Sequence, residues 1–112
     1  MKSNCSLIVL SLLLLSISAA ARLGGWTPIK NINDAHVKEI ADFAVAEHNK
    51  QSGEKLKLER VIKGESQVVS GKNYRLVLEA NDGSASKKYA AVVYEKPWQH
   101  YKNLTSFEPL LL

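Results

Sequence analysis

The 112-residue sequence holds a single cysteine, Cys5. One thiol excludes an internal disulfide framework and any cysteine-based zinc cluster, since each needs several. Aromatic residues make up only 7% of the chain, and there are three histidines. His36 and His100 have no partner at metal-binding spacing, and no Ser/His/Asp or paired-carboxylate arrangement stands at a recognisable spacing. Catalysis would therefore lack both nucleophile and base, and the sequence calls for no cofactor and no metal. The formal charge of +4, from 15 Lys and Arg against 11 Asp and Glu, is mild and forms no cationic stripe, which argues against nucleic acid as a partner. No apolar run reaches the roughly 20 residues needed to span a bilayer, so no membrane anchor is expected.

The chain does have an ordinary 46% apolar content in a length that allows one small domain. Much of that apolar content lies near the N-terminus. Lys2 precedes an almost wholly aliphatic stretch from Leu7 to Ile17, and Ser18, Ala19, Ala20 and Ala21 supply the small residues of a cleavage site. Residues 1–21 read as a secretory signal peptide and 22–112 as the domain, with cleavage after Ala20 or Ala21. Cleavage would remove both Lys2 and Cys5. A secreted domain of this size without a disulfide or a metal must hold itself together by packing one good core.

One helix and several strands are expected in that domain. Asn33 or Asp34 is a natural N-cap, and Val37, Ile40, Ala41, Ala44 and His48 share a stripe about 100° wide, flanked by Phe43 and Val45. Lys38, Glu39, Asp42, Asn49 and Lys50 fall opposite, and Gly53 provides a stop. The small Ala41 and Ala44 would let the helix sit close to a sheet. His48, in the stripe, reads as a packed, hydrogen-bonded histidine.

Beyond Gly53 the period changes to 2. Leu56, Leu58, Arg60 and Ile62 alternate with Lys57, Glu59, Val61 and Lys63; Tyr74, Leu76, Leu78 and Ala80 alternate with Arg75, Val77 and Glu79. Asn81-Asp82-Gly83-Ser84 is a turn signal, Lys88 to Glu95 a third run, and His100 to Phe107 a fourth. A short strand at Trp26 to Ile32, before the helix, would add a fifth. The fold class is therefore α+β, one long helix packed across a four- to five-stranded antiparallel meander with a single dry face.

Alternate turns of a meander fall at the same end of the sheet. This brings Gln67-Val68-Val69-Ser70-Gly71, between the first two long strands, beside Pro97-Trp98, between the last two. Leu23-Gly24-Gly25-Trp26 would emerge near the same end. An indole and two valines on exposed turns do nothing for folding, and they suit insertion into a groove of another protein. Burying roughly 200 Å² of indole at about 25 cal/mol per Å² is worth some 5 kcal/mol gross, which makes Trp98 the anchor. Pro97 restricts its turn before binding, and Gly24-Gly25 permits close backbone approach.

Gln67-Val68-Val69-Ser70-Gly71 resembles the Gln-x-Val-x-Gly loop of the cystatins, Gly24-Gly25 their N-terminal glycine element, and Pro97-Trp98 their second binding loop. Ile40 to Asn49 is similar to the helix signature of the plant branch, the phytocystatins, with Asp42 where that signature usually has a basic residue or Glu. Asp42 lies on the wet face, where a substitution is tolerated. The resemblance implies a cystatin-like fold and reversible, non-covalent, tight-binding inhibition of papain-like cysteine proteases, endogenous or from herbivores or pathogens. It implies that a three-part wedge occludes the cleft: Gly24 and Gly25 along the non-primed subsites with Leu23 offered to the specificity pocket, Gln67 to Gly71 across the centre, and Pro97-Trp98 on the primed side. The interface would bury roughly 1,600 Å².

The alternative is a cystatin-fold binding, defence or storage protein without protease inhibition. The resemblance allows a monomer or a domain-swapped dimer, and the leader implies secretion to the apoplast or vacuole. The chain ends at Leu112, without the long extension through which some plant relatives inhibit legumain-type proteases, so no such activity is expected. Asn103-Leu104-Thr105 is a glycosylation sequon in the last strand, and Asn4-Cys5-Ser6 is another that would leave with the signal peptide.

Overall fold

The computed structural model describes residues 25–111. The expected leader, Leu23 and Gly24 lie outside the described residues. Five strands and one helix follow in chain order: β1 (Thr27–Pro28), α1 (Ala35–Ser52), β2 (Lys57–Val69), β3 (Gly71–Asn81), β4 (Ser86–Lys96) and β5 (Tyr101–Pro109). The sheet order is β1-β2-β3-β4-β5, with every neighbouring pair antiparallel. The expected meander is thus present with its fifth strand. That strand is shorter than the Trp26 to Ile32 segment, and β5 begins at Tyr101 because His100 takes a left-handed conformation, φ 49°.

Asp34 caps α1, its carboxylate accepting a hydrogen bond of 2.8 Å from the His36 amide. Gly53 ends the helix at φ 79°, a left-handed conformation that glycine adopts without steric cost, and its N–H donates to the Asn49 carbonyl. The dry face is Val37, Ile40, Ala41, Ala44 and Val45. Because Ala41 and Ala44 are small and fully buried, the helix backbone approaches the sheet closely. Leu76 and Leu78 of β3 and Ala91 and Val93 of β4 meet it, with Tyr74, Ala80 and Tyr89 completing the layer. His48 is packed as expected, its ring stacked on Phe107 with centroids 4.0 Å apart and Nε2 3.0 Å from Glu54 Oε1.

Two details differ from the periodic pattern. In β2 the pairing slips between Leu58 and Arg60 and again between Val61 and Lys63. Each slip inserts one residue and reverses the alternation. Val61, expected on the wet phase, therefore packs on the core beside Leu58, while Arg60 points to the other face and pairs with Glu79 at 3.1 Å. Asn49, expected in solvent, turns back to the chain. Its Nδ2 donates to the Leu56 carbonyl at 2.9 Å and its Oδ1 accepts from the Leu56 amide at 3.0 Å, fastening the helix end to the entry of β2. Among the described residues, no helix is long and apolar enough to cross a membrane.

Candidate functional site

The β2–β3 and β4–β5 connections lie at one end of the sheet, opposite the Asn81 to Ser84 turn, as the meander requires. Strand pairing carries β2 all the way to Val69, so Gln67, Val68 and Val69 belong to the strand and the reversal is confined to Ser70. Val68 is 69% exposed and Val69 43%. Gly71 closes the reversal at φ 108°. A Cβ at Gly71 would stand 2.7 Å from the Glu95 carbonyl oxygen and 2.8 Å from the Tyr94 hydroxyl, so both conformation and space demand glycine.

Tyr94 couples the two loops. It sits on the face of β4 away from the helix, and its hydroxyl donates to the Ser70 carbonyl. Lys96 Nζ lies 5.9 Å from the Tyr94 ring centre and 6.0 Å from that of Tyr101, stacking three long side chains behind the second loop. That loop, Pro97–Gln99, is a single 3₁₀ turn with proline at its first position, closed by the His100 N–H on the Pro97 carbonyl at 3.1 Å. Trp98 projects from it, 62% exposed.

The N-terminal segment completes the edge. Thr27 stands opposite Ser66, so Gly25, two residues earlier, leaves the sheet on a level with Val68. The Arg75 guanidinium lies 4.2 Å from the centre of the Trp26 ring, and Arg75 is itself held by Glu65 through bonds of 3.1 and 2.9 Å. Trp26 is thereby pinned to the helix-free face, which aims Gly25 along the sheet. Gln67 is steadied from beneath, its Oε1 accepting from Asn73 Nδ2 at 3.1 Å.

Directly behind the loops lies the one buried charged residue among those described, Glu95, 4% exposed. His36 Nε2 is 2.8 Å from Glu95 Oε1, and Lys102 Nζ is 3.9 Å from Oε2. The His36 ring also reaches Glu39, 3.3 Å from Nδ1. The hydrogen bond to Glu95 is the chief reason the His36 pKa is raised above its ordinary value, against the opposing effect of partial burial. Burial above all, with Glu95 nearby, pushes the Tyr74 hydroxyl up to about 12.

The structure therefore brings together Gly25, Gln67, Val68, Val69, Ser70, Gly71, Pro97 and Trp98 at one edge; Leu23 and Gly24 lie outside the described residues. The sequence reading missed Tyr94, Tyr101, Lys96 and the His36–Glu95 pair. A signal existed for Tyr94, which falls on the opposite phase of β4 from Val93 and so had to face away from the core. None existed for His36 and Glu95, which stand 59 positions apart. Among the described residues no group of three or more His, Cys, Asp and Glu is arranged to hold a metal ion. The edge offers apolar side chains and glycine backbone on a rigid mount, which suits it to enter and fill a groove.

Comparison with known proteins agrees with this architecture. The family model described as aspartic acid proteinase inhibitor, SQAPI, matches residues 29–110. A protein of Arabidopsis thaliana named cysteine proteinase inhibitor 5 is 58% identical over 103 residues, covering 91% of this chain and 84% of its own. Among solved structures, a salivary cystatin of the soft tick Ornithodoros moubata superposes with a TM-score of 0.69 at 27% identity, covering 79% of this chain and 98% of its own. The solution structure of the squash aspartic acid proteinase inhibitor gives a TM-score of 0.62 at 33% identity, covering 76% and 92%. The fold, the order of the three edge segments and these likenesses agree: the chain belongs to the phytocystatins, the plant branch of the cystatin family, a family of inhibitors and not of enzymes.

Proposed function

We propose that the protein is a reversible, non-covalent, tight-binding inhibitor of papain-like cysteine proteases that fills their active-site cleft with the three segments at its Trp98 edge. The observation carrying this reading is the distribution of exposed apolar surface. Of the large hydrophobic side chains exposed among the described residues, all but Leu111 gather at this end: Val68, Val69, Trp98 and Tyr101. Such a cluster is a liability for a free protein unless a partner covers it. Gly25 and Gly71 lack the side chains that would hold a second backbone away, and the proposed contact includes Leu23 and Gly24. Occlusion asks nothing of the inhibitor but shape. A preformed edge loses little entropy on docking, which favours tight association.

The deciding experiment is a titration of papain with the mature protein. Stoichiometric loss of activity that returns on dilution supports the proposal, and activity surviving a several-fold molar excess overturns it. Val69→Asp sharpens the test, since a carboxylate would be desolvated in the cleft: folding should be spared and inhibition lost.

The match to the aspartic acid proteinase inhibitor family model favours a second reading, inhibition of an aspartic proteinase. The same titration against pepsin separates the two. Entry to the secretory pathway through residues 1–21, delivery to the apoplast or vacuole, and targets among the plant's own proteases or those of herbivores and pathogens complete the proposal.

A further inference from the structure

We propose that Asn103 carries an N-linked glycan, and that this glycan covers the free edge of the sheet. The sequon Asn103-Leu104-Thr105 lies within β5, the last strand in the sheet order, which pairs with β4 alone. Asn103 stands opposite Tyr94 and so projects from the face away from the helix, where its side chain is exposed. Among the described residues, no side chain hydrogen-bonds its amide. Leu104 turns inward against the core, and Thr105 is exposed at the point where the β4–β5 pairing slips, between Val92 and Val93. The acceptor amide and the hydroxyl two residues on are therefore both open, while the residue between them anchors the strand. Attachment precedes folding, and the finished fold accommodates the product without displacing any packed group.

The location gives the sugar a physical task. An edge strand offers a row of unpaired N–H and C=O groups to any other extended chain, and nine residues make β5 a long one. The defences visible on it are Lys102, Pro109 at its end and the slip at Thr105. A hydrated oligosaccharide at the third position would screen the remaining stretch, which adjoins the exposed Tyr101 and the second loop. Asn103 is two residues beyond Tyr101, about 7 Å along the strand. The sugar therefore flanks the Trp98 edge without occupying it, and inhibition should persist in the modified protein. This inference needs the leader reading of residues 1–21 and is independent of protease inhibition.

The test is translation of the full chain in the presence of microsomes, followed by protease digestion outside the vesicles. We expect a protected species heavier by one oligosaccharide, sensitive to endoglycosidase, retained in Thr105→Ser and lost in both Asn103→Gln and Thr105→Ala. A protected chain of unmodified mass overturns the proposal, as does a shift that survives Asn103→Gln or a chain that never enters the vesicles. For the edge itself, sedimentation of the secreted protein before and after enzymatic removal of the sugar is expected to show self-association rising several-fold on removal. Equal association in the two forms overturns the covering role.

Discussion

His36 Nε2 lies 2.8 Å from Glu95 Oε1, joining the first turn of α1 to the last buried position of β4, one residue before the strand leads into the Pro97–Trp98 loop. Lys102 from β5, Glu39 from α1, Asp34 at its N-cap, Tyr74 of β3, and Lys72, which stands opposite Glu95 in the β3–β4 pairing, surround the pair. A buried carboxylate costs stability unless it is paired, so this contact holds the base of the Trp98 edge to the helix.

The pair predicts a pH dependence of definite sign. Folding raises the His36 pKa above 6.5, so the folded state holds its proton more tightly than the unfolded chain does. The resulting stabilisation is complete below pH 6.5 and disappears as the pH climbs through the raised value. Because the His36 side chain is 44% exposed, solvent screens the pair and its worth stays below about 1 kcal/mol, a few degrees in melting temperature. Melting curves at about pH 5.5 and 8 should differ more for the native protein than for His36→Gln, which keeps a donor to Glu95 but does not titrate. An equal difference in both would remove the pair as the cause.

Trp98→Ala should weaken binding to a papain-like protease by roughly 2–4 kcal/mol and leave the melting temperature within about 2 °C of the native value, because Trp98 is mostly exposed in the free protein. Inhibition titration and differential scanning calorimetry read the two effects separately. A large stability loss with inhibition intact would mark Trp98 as a packing residue.

Tyr94→Phe removes only the hydroxyl that holds the Ser70 carbonyl. It should cost roughly 0.5–1.5 kcal/mol in inhibition by loosening the first loop, with a smaller effect on folding. Gly71→Ala should be worse on both counts, by about 1–3 kcal/mol, because the new methyl meets the Glu95 carbonyl and the left-handed conformation strains it.

Asn49→Ala should behave in the opposite way. It strands the N–H and C=O of buried Leu56 at the entry of β2, at the opposite end of the sheet from the edge, and should lower stability by about 1–3 kcal/mol while leaving inhibition unchanged. Chemical denaturation and a papain titration on the same sample check both halves.

The helix, the meander and the common end of its two loops were legible in the sequence because each follows from a repeating pattern. Ile40, Ala41 and Ala44 repeat at helical spacing, and Tyr74, Leu76, Leu78 and Ala80 alternate without interruption. The slips in β2 were not legible: Leu58, Val61 and Ile62 fit more than one phase, and only pairing against the regular β3 selects between them. Asn49 looked solvent-facing because periodicity describes a helix as if it stood alone, whereas the chain reverses at Gly53 and returns to it. The candidate segments of the edge stood out in the sequence as apolar residues and glycines where folding has no use for them. Their support was not, since Tyr94–Ser70, Trp26–Arg75 and His36–Glu95 are contacts between distant parts of the chain.

The direction in which the loops are mounted has a mechanical consequence. Both are reversals at the ends of long, laterally bonded strands, so a load pressing the tip backwards runs lengthwise down four strands at once. To yield in that direction, whole ladders of hydrogen bonds would have to shear together, whereas a sideways push need only bend a single turn. The molecule is thus stiff along the strands and more compliant across them, much as a chisel is, and under the proposed insertion it would adjust its lateral seating in a cleft without losing its thrust.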